Sequence, residues 1–367
     1  MKNACIVWNH QNNGLRTLDF APVLDGFRAF GYPVDELRML SGADNQKLCA
    51  AVSALKTEYD NVILITEKAW LDYVKAVLVA GGLFTENAVA VNADGEGIFT
   101  DKNKSLFLLY FGASNQFIKS VCMPYLRQKH ADRRAKMTVR AVGANAIHVE
   151  KLIEKAKSYS GDKMTYSHTR EYGEDTIEAF YDENAPKMLV DDVLRVFAEG
   201  LGDSVYALDD TPLAEQLVYL LKLRCRKISV AESFTGGGLA KKITSVSGAS
   251  AVYFEGLNTY NEIAKIKRLG VSEYTLKTLG AVSDQTAYEM ASGLIATGDC
   301  DISIATTGLA GPNTDKSMLP VGLCYIAIGT KERVFVYRYK FDGSREEITQ
   351  TAINYALFLA YKQLKNM

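Results

Sequence analysis

The segment AESFTGGG (231–238) sets a serine hydroxyl beside a run of glycines, where a predicted strand gives way to a helix. Such a turn holds a hydroxyl off the carboxyl edge of a sheet and leaves backbone N–H donors uncovered by side chains. Ser233 is thus a candidate nucleophile, and the N–H groups of Thr235, Gly236 and Gly237 are candidate donors to an oxyanion or a phosphate. A plain N-cap serine ahead of a glycine-rich turn has the same pattern. All four histidines (His10, His130, His148 and His168) precede residue 170. A Ser-His-Asp arrangement in the C-terminal part would therefore need a histidine lent by another domain, and a histidine metal site there is equally disfavoured.

Lysine is the usual substitute base. TYNEIAK (259–265) puts Tyr260 at a strand end and Lys265 in the helix that follows. A lysine titrates near ~10.4, so it can act as a base only where desolvation brings it toward ~7–8. An exposed helical lysine next to a core tyrosine fits the same spacing. In a third segment, TTGLAGP (306–312), Thr306 or Thr307 could donate to a substrate that Gly308 approaches closely, or the segment is a tight turn ended by Pro312. Open α/β sheets bind ligands beyond the carboxyl ends of their strands, and all three segments fall at such ends.

The elements that must position these residues follow from the periodicity. In the first third, apolar runs at 4–8, 61–66 and 105–111 read as buried strands, with helices over 18–30, 45–56 and 69–81 between them. That alternation predicts a parallel sheet covered by helices. The basic stretch RQKHADRRAK (127–136) reads as a linker or helix end and marks the first boundary. From 136 to 208, strands at 138–142, 164–171 and 175–181 with helices at 148–158 and 188–200 predict a small α+β domain, which 204–208 closes. A third domain, 209–367, opens on a helix with Thr211 as its cap and Pro212 at its first position. Strands at 227–231, 251–260, 301–307, 322–329 and 334–340 then alternate with helices, and a helix over 346–364 ends the chain. The fold class is α/β with three domains.

A chain of 367 residues, 48% apolar, has ample material for several cores. Its net charge of −1 argues against a general attraction to nucleic acid or membrane. Six dispersed cysteines without a C-x-x-C pair, a start too polar for a signal peptide, and no apolar run near ~20 residues point to a cytoplasmic protein without disulfides.

The three site segments, together with SGASAVYFEGLNTYNEIAK (247–265), LGAVSDQTAYEMASG (279–293), PVG (320–322) and FDGSRE (341–346), resemble the CinA family. Their order and spacing span nearly all of 209–367. The resemblance implies an α/β/α amidase domain that hydrolyses the carboxamide of nicotinamide mononucleotide without metal or cofactor. It implies Ser233, Tyr260 and Lys265 as the catalytic set, with Thr235, Gly236, Gly237, Ser250, Thr307, Gly308 and Arg345 binding substrate and Arg345 meeting the phosphate. In the implied mechanism Lys265 takes the serine proton directly or through Tyr260. The sequence departs from the family at Phe234 (usually cysteine), at Leu319 (often lysine) and at Thr349 (often a second arginine), and lacks the Gly-Gly that commonly follows Pro312.

Upstream, residues 1–135 more weakly resemble a molybdopterin-binding-like domain. ITEKAW (65–70) and FGASNQ (111–116) stand where its glycine-rich and acidic loops belong, so that domain is expected to be inactive. Residues 136–208 resemble a KH-like domain, but GANA (143–146) is no G-x-x-G clamp, which disfavours nucleic acid as a partner. The resemblance also implies a homo-oligomer, a dimer. The competing reading is a catalytically silent CinA-like protein that binds a nucleotide or a competence or DNA-repair partner.

Overall fold

The computed structural model describes residues 2–9, 19–112, 115–130, 134–313 and 318–367. His10, the start of the expected helix over 18–30, the middle of FGASNQ, part of the basic stretch and residues 314–317 lie outside the described residues. Two compact units are formed. One comprises 1–136 with 162–165 and 180–186, and the other 137–161, 166–179 and 187–367.

The first unit holds a six-stranded sheet of β1 (Asn3–Asn9), β2 (Glu36–Ser41), β3 (Asn61–Thr66), β4 (Ala88–Val91), β5 (Gly97–Asp101) and β6 (Lys104–Tyr110). Its order is β2-β1-β3-β6-β5-β4, and the first four strands run parallel. The helices are α1 (Ala21–Arg28), α2 (Asn45–Glu58), α3 (Leu71–Ala80), the short α4 (Asn115–Phe117) and α5 (Met123–Lys129). Strands β1, β3 and β6, buried along nearly their whole length, are the ones legible as apolar runs. Strand β2 alternates half-buried and exposed residues at a sheet edge, which hides it from a search for continuous apolarity.

A four-stranded sheet follows, β10-β7-β9-β8, made of β7 (Arg134–Val142), β8 (Met164–Glu171), β9 (Glu174–Asp182) and β10 (Val205–Ala207), with β10 antiparallel to β7. Helices α6 (Ala146–Ser160) and α7 (Lys187–Leu201) accompany it.

The third sheet, β12-β11-β13-β14-β15, carries the candidate chemistry. Its strands are β11 (Ile228–Glu232), β12 (Tyr253–Asn258), β13 (Ile302–Gly308), β14 (Leu323–Thr330) and β15 (Val334–Lys340). β12, β11 and β13 are parallel, and β14 and β15 add antiparallel. Its helices are α8 (Leu213–Leu223), α9 (Gly238–Thr244), α10 (Glu262–Leu269), α11 (Glu273–Thr278), α12 (Asp284–Ala296) and α13 (Arg345–Lys365).

Alternation along the strands divides large from small side chains. Ile228, Val230, Ile302, Ile304, Ile326 and Ile328 pack under α8, α9 and α13. Ala231, Ala305 and Ala327 face Ala287, Met290 and Ala291 of α12, and Ser303 donates 2.8 Å to the Ala291 carbonyl. Small residues on both surfaces let α12 lie close to the sheet.

Two local expectations are corrected. Thr211 does not cap α8. Pro212 itself is the N-cap, and the Thr211 N–H is held by Asp209. The segment 249–251 is a 3-10 turn, so the strand expected over 251–260 is confined to Tyr253–Asn258.

The PVG stretch has a structural explanation. Gly322 has φ +87, and a Cβ there would stand 1.8 Å from the Phe341 carbonyl oxygen. Gly322→Ala should destabilise the chain by about 2–4 kcal/mol, read as a lower urea midpoint; an unchanged midpoint would refute this packing account.

Candidate active site

Ser233 follows directly on β11, where its N–H donates 3.0 Å to the Thr306 carbonyl of the neighbouring β13. Residues 233–236 form a turn closed by Gly236 N–H to the Ser233 carbonyl, 3.1 Å. Phe234 anchors this turn among Ala310, Cys324, Ile348 and Ala352, which accounts for a large apolar residue at that position. The Thr235 hydroxyl meets the Thr306 hydroxyl at 2.7 Å, in the interior. Ser233 is left 8% exposed.

Lys265 comes from α10. The Asn261 side chain caps that helix by accepting from Ile263 N–H, and the fourth helical position turns Lys265 inward until it is only 1% exposed. Its Nζ lies 3.0 Å from Ser233 Oγ, 2.7 Å from the Thr259 carbonyl and 3.4 Å from the Tyr260 carbonyl. Desolvation lowers its pKa from 10.5 to about 8, against a smaller opposing pull from Glu262. A neutral amine has two N–H donors and one lone pair. Two carbonyls can take the donors, and the lone pair then faces the serine hydroxyl. The arrangement can accept the serine proton.

The geometry moves the other expected residues into different roles. The Gly237 N–H donates to the Glu232 carboxylate at 3.0 Å, joined there by Leu239 N–H at 3.0 Å and Ala240 N–H at 2.8 Å. With Gly236 N–H also engaged, neither Gly236 nor Gly237 offers a donor to an oxyanion, and the buried carboxylate repels a phosphate. Sequence reading missed Glu232 because a charged residue ending a buried strand shows its purpose only when the turn folds back over it. The free donors are the N–H groups of Phe234 and Thr235, which make no hydrogen bond among the described residues.

Tyr260 reaches Lys265 through its carbonyl. The residue is 63% exposed and its phenol accepts 3.4 Å from Arg345, with no hydrogen bond to Ser233 or to the amine. Thr307 spends its hydroxyl on the Ala281 carbonyl. Gly308 is small because a Cβ there would stand 2.5 Å from Cys324 Cβ on β14, and substrate approach is not the reason. Ser250 precedes β12, which runs parallel to β11, so it lies at the amino edge of the sheet and Ser233 beyond the carboxyl edge. Arg345, the first residue of α13, donates 2.7 Å to the Gly311 carbonyl and leans on Tyr260, at the rim of the same edge. Thr349 bonds back to the Arg345 carbonyl. Among the described residues no three His, Cys, Asp or Glu side chains are grouped to hold a metal ion, and no helix is long and apolar enough to cross a membrane.

Residues 210–364 match the family described as CinA C-terminal domain. A competence-damage inducible protein of Caldicellulosiruptor saccharolyticus is 43% identical over 185 residues, covering 50% of this chain and 45% of its own length. A protein of the same name from Caldanaerobacter subterraneus subsp. tengcongensis is 30% identical over 297 residues, 80% of this chain and 71% of its own. Among solved structures, a competence-damaged protein (CinA) superfamily protein from Klebsiella pneumoniae is 29% identical with a TM-score of 0.41, covering 42% of this chain and 97% of that one.

The depressed lysine has a consequence for stability. Below pH 8 both folded and unfolded chains carry a charged Lys265, and the folded one bears the desolvation penalty. Between about 8 and 10.5 the folded chain sheds the proton first, so stability rises with pH. Urea melts at pH 7 and pH 10 should show the wild type gaining on Lys265→Met; a constant gap would refute the buried charge penalty.

Proposed function

This chain belongs to the CinA family, and from that premise we propose that its C-terminal unit is an amidase that hydrolyses the carboxamide of nicotinamide mononucleotide to the acid and ammonia. The observation that carries the reading is the 3.0 Å contact between a buried, desolvated lysine amine and a serine hydroxyl. The proton of Ser233 passes to Lys265 as Oγ bonds to the carboxamide carbon. The N–H groups of Phe234 and Thr235 receive the charge that gathers on oxygen. As the carbon–nitrogen bond breaks, the Lys265 ammonium returns the proton and ammonia departs, leaving an ester on Ser233. Water, deprotonated by the same amine, cleaves that ester and restores the serine. Arg345 stands at the rim as the cation for the phosphate, exchanging its contacts with Gly311 and Tyr260 for phosphate oxygens. Tyr260 closes one side of the opening and holds Arg345; proton relay through its phenol is not part of this scheme.

Ammonia release from nicotinamide mononucleotide should fall about a thousandfold or more in Ser233→Ala and in Lys265→Ala. In the wild type kcat/KM should rise with pH through about 8, as the amine loses its proton. Arg345→Ala should raise KM about tenfold with little change in kcat. A wild-type chain that binds the nucleotide and releases no ammonia would overturn the proposal in favour of a silent binding protein.

A further inference from the structure

Glu232 is 1% exposed and carries a carboxylate with no basic side chain bonded to it among the described residues. Its two oxygens accept three backbone N–H groups: Gly237 and Leu239 on Oε2 and Ala240 on Oε1. The polypeptide therefore leaves β11 at Glu232, makes the turn that presents Ser233, and is tied back to the residue it left. The ring closes on Gly237, whose φ of +97 lets its N–H point inward. The main chain of Glu232 serves the other half of the dyad. Its carbonyl accepts the Thr259 N–H at 2.8 Å, and the Thr259 carbonyl in turn accepts the Lys265 amine at 2.7 Å.

We infer that Glu232 is the positioning residue of the site, an internal anion that occupies the glycine turn in place of a ligand and sets Ser233 Oγ against Lys265. Two arguments carry this. Three N–H groups converging on one buried carboxylate make the strongest local constraint on the turn, since charge-assisted bonds exceed neutral ones. No other side-chain bond closes the segment between Ser233 and α9; the Thr235 hydroxyl ties it to β13 instead. Glu232 touches neither the serine oxygen nor the amine, so it acts through the backbone alone. A consequence is that the phosphate of any nucleotide substrate is excluded from this turn and must be met elsewhere, for which Arg345 stands as a cation at the rim of the same edge.

The inference deepens the amidase reading but is tested without it. The full chain is treated with a fluorophosphonate probe, whose phosphorus is attacked by an activated serine oxygen with loss of fluoride. The labelling rate is followed from pH 6 to 10 in wild type, Glu232→Gln, Glu232→Ala and, as background, Ser233→Ala. Gln keeps the size of the side chain and one strong acceptor, so its plateau rate should fall about tenfold, and that of Ala about a hundredfold. The pH midpoint of both should stay where the wild type has it. Labelling at the wild-type rate in either variant overturns the inference. So does a midpoint that climbs toward the ordinary lysine range, because Glu232 would then serve to keep Lys265 dry and not to hold the turn. Absence of wild-type labelling above the Ser233→Ala background overturns it together with the nucleophile. Should both variants fail to fold, hydrogen exchange on the wild type decides: Gly237, Leu239 and Ala240 amides must be protected at least as well as the middle of α9, and exchange at the rate of free amides would refute the bonds. Labelling of Ser233 without ammonia release from nicotinamide mononucleotide would end the amidase reading and leave this inference standing. Normal labelling in the Glu232 variants, with ammonia release intact, would do the reverse.

Discussion

A lysine amine held almost entirely away from water resists its proton, and in this chain that resistance is aimed at one hydroxyl group. The drop from 10.5 to about 8 corresponds to about 3 kcal/mol in favour of the neutral amine. Fold stability has to absorb that penalty, and the C-terminal unit is arranged to do so. α10 is capped by Asn261 and ended by Gly270 in the left-handed region, so the helix is short and its entry angle is set by the strand before it. The carbonyls of Thr259 and Tyr260, left without ladder partners beyond the end of β12, are the oxygens that receive the amine. A strand end and a helix start together form a socket that neither would supply alone.

The sheet's composition gives that socket its depth. Bulky aliphatic residues on one face build a thick core beneath α8, α9 and α13, and alanine and serine on the other draw α12 in close. Loop 280–282 is then pinned from three directions, by the hydroxyls of Thr307, Ser283 and Thr286 on its carbonyls. Hydroxyls that look like candidate substrate donors in the sequence are consumed by this carpentry. Glu232 illustrates the same economy with charge: a carboxylate inside the domain satisfies the N–H groups that the glycine-rich turn would otherwise leave open to an anion.

Much of this was legible before any coordinates. With no histidine after residue 168, imidazole chemistry in the C-terminal part would need a residue lent by another domain, and a Ser, a Tyr and a Lys at strand ends leave few other ways to activate a nucleophile. Buried strands such as β3 announce themselves because both faces are covered, so an unbroken apolar run, Val62 to Ile65, fills the middle of the strand. Edge strands such as β2 and β4 escape notice because only alternate residues are covered. Asn261, Ser272 and Ser283 each accept a backbone N–H at the start of the helix they precede. Thr211 does not, since Asp209 two residues earlier competes for the same turn.

Local chemistry therefore determined Ser233 as the candidate nucleophile and Lys265 as its candidate base, the strand-end placement of the serine and the helix that carries the lysine, because those depend on residue type and on spacing within one or two turns. Tertiary structure alone decided which backbone donors remain free, that Tyr260 faces Arg345 and not the amine, that Gly308 is small for the sake of β14, and that Ser250 sits at the far edge of the sheet. Each of those outcomes turns on which distant segment arrives to claim a hydrogen bond or a few ångströms of space, and spacing along the chain carries no record of that.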